Sequence, residues 1–204
     1  MARVSAGDRR EQLIEAAISR AVREGLAATT VRGIADEAGV SLSTVHYCFA
    51  SKDDLLRAVA RSIAGPLSAP VTTAITEVSQ GGERGPGTVE EVLRAAFGAY
   101  WAAASSTPGR QLLSYELTTW SLRSPDGPSV ARDLYDSFHA TVEGFVEAVA
   151  ETCGVRWNVP APVLARMVVA TTTGVRLVWL VDGDDDAARA TLDTFAGVVA
   201  GLAG

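Results

Sequence analysis

Lysine occurs once in the chain, at Lys52, so arginine carries nearly all of its positive charge. Cysteine occurs twice, at Cys48 and Cys153. Two thiols so far apart in sequence make neither a disulfide framework nor a zinc spacing, and each reads as a small buried hydrophobe. His46 and Cys48 lie two apart, on different sides of a helix, with no third ligand nearby, so no metal is expected. Aromatics make up only 6%. No charged start leads into an apolar run, so no secretory leader is expected. No apolar run approaches the ~18 residues needed to span a membrane; residues 167–181 come nearest, and Arg176 interrupts them. These absences point to a soluble, cytoplasmic protein with no membrane partner.

Catalytic signatures are also missing. There is no Ser-His-Asp order and no paired-carboxylate motif, and the glycine-rich run at 81–87 lacks the Lys-Ser/Thr ending of a phosphate loop. Asp182, Asp184, Asp186 and Asp193 are spaced partly like a calcium loop. Ala187 stands where the loop needs glycine, and the last ligand is Asp instead of Glu. That run reads as an interhelical loop with acids at a helix start. No enzymatic activity and no cofactor are expected.

What is present is helical. Apolar residues make up 48% of the 204, enough for a core and one or two domains. Leu13, Ile14, Ala17, Ile18, Ala21 and Val22 recur at helical spacing over 8–24, before Gly25 as a C-cap. Thr30 caps a helix over 31–38 whose Ile34, Ala35 and Ala38 face inward, and Gly39 ends it. Ser41 caps a third helix to Phe49, with Val45, Cys48 and Phe49 as its buried stripe. Ser51 caps a fourth, with Asp53 and Asp54 in its first turn, and Gly65-Pro66 breaks it. Further helices are expected to about 80, over 88–106, 108–122, 128–152, 160–181 and 185–202, separated by loops at 81–87 and 124–128. No strand-like alternation and no internal repeat stand out, so the fold class is all-α.

The helices over 31–38 and 41–49 form a tight helix-turn-helix, with Ala35 and Gly39 allowing close approach and Val45 and Phe49 plugging the junction. Ser43, Thr44, His46 and Tyr47 are left on the outer face. The formal charge of −6 argues against nucleic acid if taken globally, but residues 1–62 hold nine Arg/Lys and eight Asp/Glu (+1), while residues 63–204 hold nine and sixteen (−7). Arg3, Arg9, Arg10, Arg32 and Lys52 supply a modest basic edge.

The segment TTVRGIADEAGVSLSTVHYCFASKDDLL resembles the N-terminal DNA-binding domain of the TetR family of bacterial transcriptional regulators. The likeness extends over about residues 8–60. It implies a three-helix DNA-binding domain over 1–50, a connecting helix over 51–65, and a helical ligand-binding and dimerisation domain over 66–204. It further implies a homodimer on a palindromic double-stranded operator, with the helix 41–49 in the major groove. Thr30, Tyr47 and Lys52 match phosphate-holding positions, and Arg32 reaches phosphate or a base edge. Leu42, Ser43, Thr44 and His46 match base-facing positions, with Ser41 capping their helix. The family usually has Tyr where this chain has His46, and often His where it has Cys48, which puts operator preference in doubt. Leu42 is open between the core edge and a thymine methyl. Thr30 and Ser51 are also good N-caps without DNA, and Tyr47 has packing on the first helix as its alternative.

Beyond residue 62, Phe97, Trp101, Tyr115 and Trp120 read either as plain core or as the lining of an apolar cavity. Glu116, His139 and Arg176, with Arg123, are the candidate polar groups for orienting a small-molecule effector, lipophilic or aromatic in character. Arg176 alternatively pairs across a dimer interface, and His139 alternatively sits in the core. The resemblance assigns dimerisation to the helices 128–152 and 160–181, where the small residues Ala170 to Gly174 allow close packing. The expected function is ligand-responsive transcriptional regulation, repression being favoured over activation. The competing reading is a helical small-molecule-binding protein or enzyme with a vestigial helix-turn-helix.

Overall fold

The structure is a computed structural model that describes residues 5–64, 67–80, 87–125 and 128–204. Arg3, the Gly65-Pro66 break, residues 81–86 of the loop at 81–87 and residues 126–127 of the loop at 124–128 lie outside the described residues. Among those described, the regular elements are ten α-helices and one 3-10 turn. One isolated antiparallel bridge, Trp157 with Ala203, ties the chain end back to the segment before α9 (Ala161–Asp182).

The chain divides into two compact units, one of Met1–Ala64 with Gly109–Tyr135, the other of Gly65–Pro108 with Asp136–Gly204. The first is organised around α1 (Ala6–Glu24), which packs on α2 (Val31–Glu37), α3 (Leu42–Cys48) and α4 (Lys52–Ala64). α1 begins with a capping box in which Ser5 and Asp8 satisfy each other's backbone amides. It ends at Gly25, whose φ of +81° favours glycine. Its apolar stripe buries Leu13, Ala17, Ile18 and Ala21. Val22, counted in the same stripe, is half exposed and lies across Gly109, where a Cβ would collide with it. α7 (Pro108–Leu122) contributes Leu113 and Leu117 to the buried set of this unit, and the start of α8 (Ser129–Cys153) contributes Val130 and Leu134.

In the second unit, α6 (Val89–Ser105) packs on α5 (Ser68–Gln80) and on α10 (Asp185–Ala200), which also packs on α9. Val92, Phe97, Trp101, Val149, Leu164, Leu192 and Val199 belong to one core. Burying each such side chain contributes about 1.5–3 kcal/mol. The aspartate run is a helix start: Asp184 caps α10 by accepting from the Ala187 amide (2.9 Å), and Asp182 accepts from the Asp184 amide (3.0 Å). No cluster of metal-ligating side chains occurs among the described residues. α9 is long and apolar enough to cross a membrane by length and composition alone. Its hydropathy has a core explanation, since Leu164, Ala165, Val168, Val169, Thr172, Val175 and Arg176 are all buried.

Candidate nucleic-acid interface

Short polar caps set the geometry of the helix-turn-helix. Thr30 Oγ1 accepts from the Gly33 amide (3.1 Å) and starts α2. Gly39 turns the chain with a φ of +63°. Ser41 Oγ accepts from the Thr44 amide (3.3 Å) and shares hydrogen bonds with the hydroxyls of Ser43 (2.8 Å) and Thr44 (2.9 Å). Each cap satisfies an amide that would otherwise be orphaned. Val45 then seals the inner face at 2% exposure.

Two expectations about packing are corrected. An added Cβ at Gly39 would meet nothing within 4 Å, so Gly39 serves the left-handed turn and not close approach. The close approach is at Gly33, where a Cβ would lie 2.6 Å from the Arg20 guanidinium carbon. The expected third helix is present as α3, capped by Ser41 and ending at Cys48, with Phe49 as its extended C-cap and its ring in the core. Second, Cys48 and Cys153 are only half-buried. Cys48 sits in the last turn of α3, and Cys153 lies at the edge of the second-unit core, where burial pushes its thiol pKa up.

Arg10, expected on the basic edge, is a brace. Its guanidinium lies 4.1 Å from the centre of the Phe49 ring and donates to the Cys48 carbonyl (2.6 Å). It also reaches Asp54 Oδ1 (3.4 Å), and Asp54 Oδ2 accepts from the Ala50 amide (3.2 Å). Gln12 Nε2 similarly donates to the Ala38 carbonyl (2.8 Å). α1 thus holds the C-terminal ends of α2 and α3, two contacts that the sequence reading missed.

The outward face is polar and open. Thr30, Arg32, Ser41, Ser43 and His46 are exposed, while Thr44 and Lys52 are half-buried. Leu42 is 36% exposed, at the rim and not in the core. Tyr47 is 83% exposed and does not pack on α1. Arg10, Arg20, Arg23 and Arg57 form ion pairs, whereas Arg32 and Lys52 form none among the described residues. An unpaired guanidinium, an unpaired ammonium at a helix start and an exposed phenol suit contacts to phosphate oxygens.

The effector candidates fall into two groups. Phe97, Trp101, His139 and Arg176 belong to the second unit, and Tyr115, Glu116 and Trp120 to the first. Phe97 packs at 5.6 Å on Phe195. Trp101 is wholly buried, sits edge-on to Trp179 at 5.3 Å and donates its indole N–H to Asp185 (2.7 Å). His139 is half-buried, and Arg176 is 4% exposed. Glu116 Oε2 accepts from the Leu26 amide (2.7 Å), and Glu116, Trp120 and Arg123 line a groove of about 490 Å³ with Gly25, Leu26 and Ala27.

Residues 13–59 match the family model of bacterial regulatory proteins, tetR family. The HTH-type nicotine-responsive transcriptional repressor HdnoR of Paenarthrobacter nicotinovorans is 30% identical over 183 residues, covering 90% of this chain and 89% of the repressor. The solved multidrug binding protein EbrR, complexed with imidazole, is 28% identical with a TM-score of 0.60, covering 90% of this chain and 92% of that one. A solved transcriptional regulator of Rhodococcus sp. Rha1 shares the fold at 22% identity, with a TM-score of 0.72 over 95% and 97% of the two chains. The chain belongs to the tetR family of bacterial regulatory proteins and is a ligand-responsive, DNA-binding transcriptional regulator.

Proposed function

We propose that the chain acts as a cytoplasmic, homodimeric repressor that releases a palindromic operator when a small molecule binds its helical C-terminal part, residues 66–204. The observation that carries this reading is the split face of α3: Val45 is buried while Tyr47 stands 83% exposed beside the exposed His46. Leu42, Ser43, Thr44 and His46 read base edges, and Thr30, Arg32, Tyr47 and Lys52 hold phosphates. The related repressor is named as nicotine-responsive, which supports a small, lipophilic or aromatic effector here.

Dimerisation runs through α8 and α9. Val163, Leu177, Val178 and Val181 are exposed along α9 with Ala170 and Gly174 between them, an apolar stripe suited to a second copy. The effector favours a dimer form whose recognition helices no longer match the ~34–36 Å spacing of successive major grooves.

The test is a gel shift on DNA flanking the chain's own gene. Replacing Tyr47 and Lys52 together with Ala abolishes the shift while circular dichroism keeps its helical signal. Unchanged binding by the double variant removes the assignment of these residues.

A further inference from the structure

The groove of about 490 Å³ lies within the first unit, between the turn at 25–27 and the end of α7. Glu116, Thr119, Trp120 and Arg123 fall at i, i+3, i+4 and i+7, so they share one helical face, and all four line the groove. The Arg123 amide donates to the Trp120 carbonyl (3.1 Å), which carries the turn past Leu122. The acid and the guanidinium are thus rooted about 10 Å apart on the helix, with the half-buried Trp120 between them. Arg123 is exposed, and its side chain makes no hydrogen bond or ion pair among the described residues. Glu116 has no cationic partner among them either. Its Oε2 accepts from the Leu26 amide (2.7 Å), and the carboxylate keeps further lone pairs to offer. The opposite wall leads straight into the helix-turn-helix: the Thr29 hydroxyl donates to the Gly25 carbonyl (2.9 Å), and Thr30 caps α2.

Charge decides what such a groove takes. An anion drawn to Arg123 meets Glu116, and a cation drawn to Glu116 meets Arg123, so a ligand of one sign gains at one end and loses at the other. A neutral body laid over the groove strips water from both groups and pairs neither. A zwitterion pairs both. Its carboxylate suits the guanidinium fork, and its ammonium takes the remaining acceptor capacity of Glu116. A flat apolar body between the two charges lies against the Trp120 indole. An α-amino acid holds its charges on neighbouring atoms, too close to reach both ends, so the two charges must stand apart.

We propose that this groove binds a small zwitterion with its charges at opposite ends of an apolar body, and that the ligand changes operator affinity through the turn at 25–27. The second half rests on the reading of the chain as an effector-controlled operator-binding protein. The test titrates the full-length protein calorimetrically with para-(aminomethyl)benzoate, para-methylbenzoate and para-methylbenzylamine, which share a ring and differ in the charges they carry. Anisotropy on DNA flanking the chain's own gene runs in parallel. The zwitterion binds about tenfold tighter than either single-charge probe. Arg123→Gln removes its advantage over para-methylbenzylamine. Glu116→Gln, which keeps an acceptor for the Leu26 amide, removes its advantage over para-methylbenzoate. No binding of the zwitterion, equal affinity for a single-charge probe, or an advantage unchanged in both variants overturns the site. Zwitterion binding that needs Arg123 and Glu116 but leaves DNA affinity unchanged keeps the site and contradicts its link to the operator. Absence of DNA binding by the ligand-free protein contradicts the regulator reading instead, and the calorimetric result on the site stands apart from it.

Discussion

Single residues here do more than their chemical type suggests. Arg10 looks like one more charge for DNA, but it closes the C-terminal end of α3 through the Cys48 carbonyl, the Phe49 ring and Asp54. Arg10→Ala removes a charge-assisted hydrogen bond and the ring contact together. It is expected to cost about 2–3 kcal/mol, read by urea denaturation, and to weaken operator binding indirectly. Asp185 offers a pH prediction. Arg189 first, and the Trp101 indole second, hold its carboxyl below the usual range. Its folded pKa therefore lies below the unfolded one, so its contribution is complete above the unfolded value near 4 and is lost as pH falls through the folded value. Asp185→Asn flattens the acid limb of the stability profile. An acid limb identical to that of the unsubstituted protein contradicts the pairing.

At the scale of elements, helix starts were legible because capping is local. Thr30, Ser41, Thr88 and Asp184 each bond an amide three residues on, so the cap can be read from four consecutive letters. Contacts between elements were not legible. Arg10 to Cys48 spans 38 residues and Leu26 to Glu116 spans 90, and no periodicity marks either partner. Gly39 illustrates a residue correctly placed for the wrong reason: the turn needs its positive φ, not its small size. Gly39→Ala is expected to lower stability by about 1–2 kcal/mol, measured by thermal unfolding. Gly33→Ala instead displaces the Arg20 side chain, and Arg20→Ala relieves that cost in a double-mutant cycle.

For the whole molecule, the two compact units interleave in sequence, because α7 and the first turns of α8 belong with the DNA-binding helices. A boundary drawn from chain order alone cannot anticipate this. The exposed stripe on α9 leads to a further prediction from the proposed homodimer: Leu177→Asp with Val178→Asp leaves the fold intact, since both side chains already face outward, while sedimentation equilibrium gives a dimer mass for the unsubstituted protein and a monomer mass for the variant. Operator affinity falls with it, since each half-site then binds alone. The central claim is that α3 and the start of α4 grip the DNA backbone and bases. The salt dependence of operator affinity, compared between the unsubstituted protein and Lys52→Ala, tests it most directly. Loss of one phosphate contact per half-site should weaken binding and lower the slope of log affinity against log salt by about one for each half-site. Equal affinity and equal slope in the two proteins would contradict it.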